Sequence, residues 1–350
     1  MDNKQVMIAM SGGVDSSVAA HLLQKEGYSC QGSIMLLSDG TKGSVADAEC
    51  VARRLGMPFH VFDFSEDFHR HVIGCFIACY EQGDTPNPCI FCNRHLKFSL
   101  FAKEAKTLGC DYIATGHYAQ IRKDEVSGRY LLCKAKDLSK DQSYVLYALS
   151  QEQLARTLFP LGSLTKQQAR QIAEENGFVN AHKKDSQDIC FIPDGDYVAF
   201  MEGYTGKRYP AGDFLNMDGK AVGRHTGAVG YTLGQRKGLG LAMGAPVYVC
   251  AKNMENNTIT VGPESALFAT TLLANDWNWI SVPHITEPMR VTAKARYRHI
   301  EQPATVYPEE NGYVKVVFDT PQRALTTGQA VVLYQGDVVV GGGTICQVYK

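Results

Sequence analysis

A strand-length apolar run that passes through two glycines into a helical pattern constrains the fold of this 350-residue chain more than any other feature. Residues 6–10 are apolar at every position, which is typical of a strand in a sheet covered on both faces. After Gly12 and Gly13, apolar residues recur at helical spacing as far as Leu23, and Gly27 stands where a helix C-terminal glycine belongs. The chain therefore begins with a strand–turn–helix unit of an α/β sheet.

The turn between them, SGGVDSS at residues 11–17, has the composition of an anion-binding loop. The first N–H groups of a helix have no partners within the helix, and the helix dipole adds partial positive charge there. Glycines let the backbone wrap closely around a phosphate, and the hydroxyls of Ser11, Ser16 and Ser17 add donors. The loop is not a Walker A motif, because no Gly-Lys-Ser/Thr follows. An ordinary turn of small residues is the alternative, and the density of small polar positions favours phosphate binding.

Strand and helix patterns alternate along the first half of the chain and then stop. Up to about Pro193, buried-strand runs are separated by helices, such as one predicted over residues 95–108, which indicates a doubly wound parallel sheet. Glycine then becomes frequent, and short β-forming runs with hairpin turns follow from Leu267 onward. We predict three domains: an α/β nucleotide domain over residues 1–195, a small glycine-rich, β-containing central domain over 196–265, and a C-terminal antiparallel β-barrel over 266–350.

The composition narrows the setting in which the chain works. Its formal net charge is −1 and 45% of its residues are hydrophobic, as in an ordinary globular protein. No stretch approaches the length of a membrane span and the N-terminus lacks a secretion-signal pattern, so we expect a cytoplasmic protein with no membrane partner. Eleven cysteines, an odd number, favour a reducing compartment over a disulfide framework.

Three cysteines differ from the rest in their surroundings. Cys89 and Cys92 follow two prolines immediately before a predicted helix, and Cys190 lies in a polar loop. Thiols at a helix N-terminus or beside cations have depressed pKa values, so we expect thiolate character at these positions. A zinc site that His95 and Cys190 complete is the alternative, although its spacing is unusual. The neighbouring cations are Arg94, His95 and Lys97 for the first pair, and Lys183 and Lys184 for Cys190.

Seven strings in register place the chain beside a known family. They are MSGGVDSS, TPNPCIFCNRHLKF, DYIATGHYA, SKDQSYVLYAL, DSQDICFI, GYTLGQRKGLG and KARYR. In this order, along the whole chain, they resemble the bacterial tRNA-specific 2-thiouridylases of the ATP pyrophosphatase (PP-loop) superfamily, which has an adenine nucleotide alpha hydrolase-like fold. The resemblance implies a tRNA-uridine 2-sulfurtransferase that adenylates O2 of the wobble uridine, U34, and replaces it with sulfur. It also implies ATP with Mg²⁺, a tRNA anticodon stem-loop, and a persulfide donor such as a cysteine desulfurase or sulfur-relay protein.

The resemblance further implies a role for each matching residue. Cys92 corresponds to the nucleophile and Cys190 to the cysteine that bears the persulfide, and attack of one on the other would release sulfide or leave a disulfide bond. Asp15 would lie beside Mg²⁺. The implied ATP contacts are Ala9, Met10, Ser11, Gly12, Gly13, Val14, Asp15, Ser16, Met35 and Gly116. The implied contacts with the target base are Asn87, Pro88 and Cys89, and those with the rest of the tRNA are Lys140, Asp141, Gln142, Arg296 and Tyr297.

A basic stretch in the last third of the chain agrees with an RNA partner. Five cations fall within ten residues without an acid, and alternate positions of a strand would align several of them on one face. Tyr297 among them offers a stacking surface. A solvated strand face would be the default interpretation without the other motifs. The cations are Arg290, Lys294, Arg296, Arg298 and His299.

Cys89 departs from the family pattern, in which aspartate is common at this position. Together with Cys92 and Cys190 it makes three thiols, enough to hold a [4Fe–4S] cluster with one open iron. Two routes for sulfur therefore remain: a persulfide relay, which we favour because it needs no departure from the family's usual account, and the same reaction through a cluster. Two other classes are a PP-loop synthetase that adenylates a metabolite and a non-catalytic RNA-binding or iron–sulfur sensor. The paired cysteines disfavour the first, and the intact loop disfavours the second.

Overall fold

A parallel sheet of five strands forms the centre of the N-terminal region in the computed structural model, which describes residues 4–183 and 189–350 apart from the side chains of residues 39 and 42. The strands of this region are β1 (Gln5–Ala9), β2 (Ser29–Leu36), β3 (Phe59–Asp63), β4 (Tyr112–Thr115), β5 (Gln120–Lys123), β6 (Tyr130–Cys133) and β7 (Thr157–Leu158). The sheet order is β3-β2-β1-β4-β7, with every neighbour parallel. The order changes direction at β1, and the carboxyl ends of β1 and β4 open a crevice of the kind that binds ligands in such sheets.

Helices cover both faces of this sheet. They are α1 (Val14–Lys25), α2 (Asp39–Lys42), α3 (Val45–Arg54), α4 (the contiguous segments Ser65–Phe68, His69–Ile73 and Gly74–Glu81), α5 (the contiguous segments Pro88–Phe91, Cys92–Leu100 and Phe101–Thr107), α6 (Ser143–Leu146), α7 (Gln151–Ala155) and α8 (Lys166–Glu175). Val6 and Ile8 of β1 pack into one hydrophobic core, whereas Met7 and Ala9 pack into the other. The doubly wound fold predicted from the apolar strands is therefore confirmed. No helix of the described residues is both long and apolar enough to cross a membrane.

Helix α5 begins earlier than the apolar pattern predicts. The pattern places its start at His95, but the helix starts at Pro88. Asn87 caps it by accepting a hydrogen bond from the backbone N–H of Cys89 at 3.1 Å, and a proline at the first helical position is preorganised for the helix. The middle segment, Cys92–Leu100, is π-helical, with hydrogen bonds between residues five apart. The two cysteines of this stretch therefore lie inside the helix and not ahead of it.

The central region is a small sheet preceded by one helix. Its elements are α9 (Tyr197–Thr205), β8 (Gly212–Leu215), β9 (Ala221–His225), β10 (Tyr248–Asn253) and β11 (Thr258–Gly262). Two antiparallel hairpins join through a parallel pairing of β8 with β11, in the order β10-β11-β8-β9. Phe214, Val249 and Ile259 fill a separate core. The predicted β-containing central domain is confirmed, and the glycine-rich stretch forms the long connection between β9 and β10.

Six antiparallel strands close into a barrel in the C-terminal region. They are β12 (Phe268–Trp279), β13 (Met289–Lys294), β14 (Gln302–Pro308), β15 (Val314–Arg323), β16 (Ala330–Gln335) and β17 (Val338–Tyr349). The order β12-β15-β14-β13-β16-β17 closes because β12 also pairs with β17. Val291, Val316 and Leu333 lie in its core. The predicted antiparallel barrel is confirmed.

The barrel packs directly against the N-terminal region. The side-chain amide of Asn278 donates hydrogen bonds to the carbonyl oxygens of Tyr147 and Leu149, at 2.6 and 2.8 Å. Glycine in β17 makes room for this contact, since a Cβ at Gly342 would lie 2.6 Å from the ring of Tyr147. The contact between the barrel and the N-terminal region therefore depends on glycine at position 342, which leaves room for the ring of Tyr147.

We expect Gly342→Ala to lower the free energy of unfolding by about 1–3 kcal/mol, because its methyl group would overpack the ring of Tyr147. Gly203→Ala in α9 is the matched control, since a Cβ there meets no atom within 4 Å. Helix propensity predicts that the control is neutral or stabilising by up to about 1 kcal/mol. Urea unfolding measures both variants. Equal stabilities would contradict the packing at this junction.

Candidate active site

A helix N-terminus with free backbone donors lies at the carboxyl edge of the parallel sheet. Residues 11–13 connect β1 to α1, and Gly13 leads into the helix in an extended conformation, with no side chain of the described residues capping it. Gly12 has a φ of 69°, and a Cβ there would lie 2.7 Å from the carbonyl oxygen of Ser44. Glycine is therefore required at this position. The first-turn N–H groups of α1 face a site suited to an anion.

Hydrogen bonds within the loop hold it in one shape. The hydroxyl of Ser16 accepts from the N–H of Ser11 at 3.1 Å, and the hydroxyl of Ser17 donates to the carbonyl of Gly13 at 3.0 Å. Asn180 donates to the same carbonyl at 3.1 Å and to the hydroxyl of Ser17 at 2.9 Å. The sequence predicts that the hydroxyl of Ser17 donates to a phosphate. Ser17 is fully buried, so its hydroxyl instead holds the loop in shape. No sequence pattern around Asn180 predicts that it supports the loop.

The carboxylate of Asp15 lies beside a cation that sequence reasoning missed. The ammonium of Lys166 is 2.8 Å from each carboxylate oxygen, and the hydroxyl of Tyr118 donates to Asp15 at 2.8 Å. Lys166 is the first residue of α8, and no local pattern links it to a loop 151 residues earlier. The side chain of Asp15 is 32% exposed. A partly exposed carboxylate beside a phosphate loop fits Mg²⁺, which proteins often hold with one or two carboxylates plus substrate phosphates.

The end of β4 presses against the loop. A Cβ at Gly116 would lie 2.8 Å from the carbonyl carbon of Asp15 and 2.8 Å from the nitrogen of Ser16, so the two backbones can meet only at glycine. The structure thus brings the predicted ATP contacts to one edge of the sheet. The others on this edge are Ala9 and Met10 at the end of β1, Val14 at the start of α1, and Met35 near the end of β2. Their individual contacts with ATP stay predictions.

The three singled-out cysteines lie within electrostatic range of one lysine of α5, Lys97. Cys92 is 7% exposed, whereas Cys89 and Cys190 are exposed at the protein surface. Burial by itself lowers the pKa of Lys97, but interactions with all three thiols raise it above its usual value. The topology therefore brings Cys190 to the two cysteines that lie about a hundred residues earlier in the chain.

These thiols do not have the depressed pKa values that the sequence suggests. Burial raises the pKa of Cys92, and the nearby ammonium of Lys97 offsets this only in part. Burial likewise raises the pKa of Cys190 to about 11, although the residue keeps contact with solvent. The prediction of low-pKa thiolates is wrong for both cysteines, because desolvation of the anion outweighs one cation. Both are protonated near neutral pH.

Cys190 lies next to packed aromatic rings and is influenced by the charge of Lys97. Lys183 is not its neighbouring cation. The next residue, Phe191, packs edge-to-face on Phe68, with ring centroids 5.5 Å apart. Lys183 is engaged elsewhere: its ammonium donates to the carbonyl of Gly12 at 3.3 Å and pairs with Asp47 at 3.0 Å. The second predicted cation, at position 184, lies outside the described residues.

Consecutive residues after β4 connect the phosphate loop to the thiols. Gly116 presses on Asp15, and the ring of His117 lies 5.8 Å from that of Phe98 in α5. Burial, and then Lys97, keep the pKa of His117 well below its usual value, so this imidazole is neutral. The residues that follow β4 therefore contact both the phosphate loop and α5, the helix that carries Cys89 and Cys92.

Within residues 4–183 and 189–350, no group of three or more His, Cys, Asp and Glu side chains is placed to hold a metal ion. His95, the predicted zinc ligand, has its ring stacked on that of His71, with centroids 5.1 Å apart. All eleven cysteines lie in these residues and are free thiols. The zinc alternative therefore finds no support among the described residues.

Three of the predicted tRNA contacts precede α6. The carboxylate of Asp141 accepts hydrogen bonds from the N–H of Ala135 at 2.9 Å and from the hydroxyl of Ser143 at 2.7 Å. Gln142 exchanges hydrogen bonds with the backbone of Tyr118, next to the phosphate site. Both side chains therefore shape this turn, and Lys140 precedes them. Contact with tRNA stays a prediction for all three.

Arg296 and Tyr297 lie just after β13. The guanidinium of Arg296 donates to the carbonyl oxygens of Ala324 at 2.9 Å and Leu233 at 3.3 Å, so it joins the barrel to the central region. Tyr297 is 36% exposed, and burial, then Asp141 and Cys89, raise its pKa. The hydroxyl of Tyr297 donates to the backbone carbonyl of Asp141 at 3.3 Å, whereas Arg296 has a structural role. Their contact with tRNA also stays a prediction.

The basic stretch does not form the single strand face that alternation predicts. β13 ends at Lys294, so Arg296, Arg298 and His299 fall in the following turn. Arg290 is on the strand but forms a two-pronged ion pair with Asp319, each N···O distance being 2.7 Å. The predicted row of cations on one strand face is therefore not formed. Three of the five cations lie in the turn, and the charge of Arg290 is paired with Asp319.

Three family models match the chain in order. The model described as tRNA methyl transferase HUP domain matches residues 4–194, the tRNA methyl transferase PRC-barrel domain matches residues 198–263, and the aminomethyltransferase beta-barrel domain matches residues 269–345. With the sheet order and the loop at its carboxyl edge, these matches define a HUP-domain protein that carries two β domains after its nucleotide fold.

Full-length relatives identify the family to which the chain belongs within this class of HUP-domain proteins. The tRNA-specific 2-thiouridylase MnmA of Clostridioides difficile (strain 630) is 49% identical, covering 98% of each chain. The protein of the same name from Acetivibrio thermocellus is 48% identical over 99% of this chain and all of the relative, and that from Moorella thermoacetica is 48% identical over 97% and 98%. The chain belongs to the tRNA-specific 2-thiouridylase family, which confirms the resemblance drawn from its motifs.

Proposed function

We propose that this chain is a tRNA-uridine 2-sulfurtransferase that uses ATP to make 2-thiouridine in tRNA. One observation carries the proposal: consecutive residues Gly116 and His117 touch the phosphate loop and flank the thiol-bearing helix, respectively. A base activated with ATP at the first site lies within reach of sulfur at the second. The family-model names refer to methyl transfer and the relatives' names to thiolation, and three convergent thiols agree with thiolation.

The first half-reaction activates the wobble uridine, U34. ATP binds along residues 9–16 with its phosphates at the N-terminus of α1, while Met35 and Gly116 complete the site. Uridine O2 attacks the α-phosphorus, the bond to the β-phosphate oxygen breaks, and pyrophosphate leaves. O2 then becomes part of AMP, a far better leaving group. Magnesium bound with ATP would neutralise phosphate charge beside Asp15, and Lys166 adds a second positive charge.

The second half-reaction delivers sulfur. A persulfide donor, a cysteine desulfurase or a sulfur-relay protein, loads Cys190. The terminal sulfur attacks C2, a C–S bond forms, and AMP leaves with the electrons of the C2–O bond. The thiolate of Cys92 then attacks the sulfur of Cys190, and the S–S electrons pass to the new 2-thiouridine. The product is a Cys92–Cys190 disulfide, which a cellular dithiol reduces before the next turnover.

Exposure and position support the proposed substrate contacts. We propose that Asn87, Pro88 and Cys89, at the start of α5, contact the target base. Cys89 is exposed and Asn87 is partly exposed, whereas Pro88 is buried. We propose that residues 140–142 and Tyr297 face the anticodon stem-loop, with Arg296 supporting them from behind. We also propose domain limits at 1–195, 196–265 and 266–350. The free thiols agree with a reaction in the cytoplasm.

A [4Fe–4S] cluster on Cys89, Cys92 and Cys190 is the second candidate route for sulfur. The convergence of the three thiols favours it. Against it, the positive charge of Lys97 acts on all three thiols, and among the described residues no three such side chains are grouped to hold a metal. The residues therefore fit the relay better, and no step is assigned to a cluster.

Pyrophosphate exchange into ATP tests the activation step. We expect exchange to require unmodified tRNA, and Asp15→Asn to abolish both exchange and thiolation because the loop loses its carboxylate charge. Asparagine is preferable to alanine here, since the amide retains an acceptor for Lys166 and Tyr118. Asp218→Asn, in an exposed turn of the central region, is the control and should be fully active. Exchange that depends on a small metabolite and not on tRNA would instead identify a synthetase.

Separate loss of the two half-reactions tests the thiol roles. We expect Cys190→Ser to block persulfide loading and Cys92→Ser to block sulfur release, while both retain tRNA-dependent exchange, because activation uses no sulfur. Persulfide-specific labelling and mass spectrometry of tRNA nucleosides measure the two outcomes. Cys346→Ser, at an exposed thiol of the barrel strand β17, is the control and should thiolate tRNA normally. Loss of exchange in both site variants would mean that the cysteines are structural.

Iron content separates the relay from the cluster. We expect protein prepared and assayed without oxygen to be colourless, iron-free and active, and Cys89→Asp to change thiolation little. About four irons per chain, lost in Cys89→Asp together with activity, would overturn the relay and establish the cluster.

A further inference from the structure

Cys190 occupies the corner of a tight turn whose other residues pack into the protein. The backbone N–H of Ile192 donates to the carbonyl oxygen of Ile189 at 2.9 Å, which closes a four-residue turn. Ile192 is 2% exposed, and Ile189 and Phe191 pack against the same hydrophobic core, whereas Cys190 is exposed. The residues on either side of the cysteine therefore hold the turn, and its thiol is left at the surface.

The ring of Phe191 contacts three other phenylalanine rings. Phe68 and Phe76 of α4 meet it edge-to-face, with ring centroids at 5.5 and 5.4 Å. Phe200 of α9 meets it at 5.2 Å in a tilted arrangement. Aromatic pairs in such geometries are more favourable than the burial of their apolar surface alone. Phe68, Phe76 and Phe200, here called the aromatic box, therefore fix the ring that follows Cys190.

Two sides of the aromatic box belong to the core that also holds Cys92. Phe68 is 1% exposed and Phe76 is fully buried. Cys92 is a buried member of the same hydrophobic cluster, together with Leu96 of α5. Protein cores are close-packed, so their side chains keep fixed relative positions. The turn of Cys190 and the helix of Cys92 are thus both held by one rigid core.

The third side of the box comes from the central region. Tyr197, the first residue of α9, packs on Tyr80 at the end of α4, with ring centroids 4.6 Å apart. Near the other end of α9, the hydroxyl of Tyr204 is hydrogen-bonded to Nδ1 of His69 at 3.1 Å. Helix α9 is therefore fastened to α4 on both sides of Phe200.

We propose that Phe191 is a positioning residue for sulfur transfer: the aromatic box holds its ring, and the turn then presents the thiol of Cys190 to Cys92. This inference rests on the proposed relay, in which Cys92 attacks the sulfur of Cys190. Reacting groups held in one geometry meet far more often than groups on a loose segment. Because Phe200 closes the box, the central region takes part in sulfur transfer, although both cysteines belong to the N-terminal region.

The disulfide between Cys92 and Cys190 measures this placement without tRNA. Oxidised glutathione takes two electrons from the two thiols, and the products are the Cys92–Cys190 bond and two molecules of reduced glutathione, which carry the two thiol protons. Glutathione buffers of graded ratio, followed by an acid quench and peptide mass spectrometry, give the effective concentration of one thiol at the other. Peptide fragmentation distinguishes Cys92 from Cys89 as the partner of Cys190.

We expect Phe191→Ala to lower this effective concentration at least about tenfold, because the turn loses the ring that fixes it. Phe200→Ala, in the central region, should change it in the same direction. Phe191→Tyr keeps the ring and should retain most of the unmodified value. Phe318→Leu, in the barrel core, is the matched control. It should lower the melting temperature and leave the effective concentration unchanged.

Three results would overturn the role of Phe191. One is an unchanged effective concentration in folded Phe191→Ala or, where that variant does not fold, in Phe200→Ala. Another is an equal fall in Phe191→Ala and Phe318→Leu, which would reflect lost stability alone. The third is a fall in Phe191→Tyr as large as that in Phe191→Ala. Support also requires that Phe191→Ala keeps the KM for tRNA in pyrophosphate exchange and loses single-turnover thiolation at least about tenfold.

The same measurements separate this proposal from the proposed function. If the unmodified protein formed no Cys92–Cys190 bond at any glutathione ratio, the positioning and the relay would both fail, whereas tRNA-dependent exchange would still report base activation. If the bond formed and depended on Phe191, but the unmodified protein did not thiolate tRNA, the proposed function would fail and the role of Phe191 in placing Cys190 would stand.

Discussion

The contact between Gly116 and the first turn of α1 is the constraint on which the rest of the site depends. A parallel sheet brings the ends of β1 and β4 together, but any side chain at position 116 would collide with the backbone of Asp15 and Ser16. Without that approach, the turn carrying His117 would stand off from the loop. The proposed sites of base activation and sulfur delivery would then lie apart.

Competition between desolvation and charge decides the chemistry of the thiols. A cysteine at the start of a basic helix is expected to be a thiolate, yet burial raises the pKa of Cys92 and of Cys190. A protonated thiol is a poor nucleophile, so either of these two cysteines must lose its proton before its sulfur can attack. The ammonium of Lys97 offsets only part of this penalty at each of the two sulfurs.

The barrel holds parts of the other two regions in place. Asn278 holds the backbone that follows α6, and Arg296 holds the central region through carbonyl groups. Basic residues that look free in the sequence are therefore partly used inside the protein. Tyr297, which is 36% exposed, contacts the N-terminal region through the backbone carbonyl of Asp141.

The sequence by itself determined the fold class and the phosphate loop, because strand burial, helix periodicity and glycine turns are local consequences of residue order. Apolar strands predicted a doubly wound sheet, and SGGVDSS predicted an anion site at its edge; both agree with the structure. Only the tertiary structure placed Lys166 on Asp15 and Asn180 under the loop, since these pairs are more than 150 residues apart. It also decided the thiol pKa values and the engagement of Lys183. Desolvation and long-range pairing depend on what surrounds a side chain in space, which residue order specifies only through the completed fold.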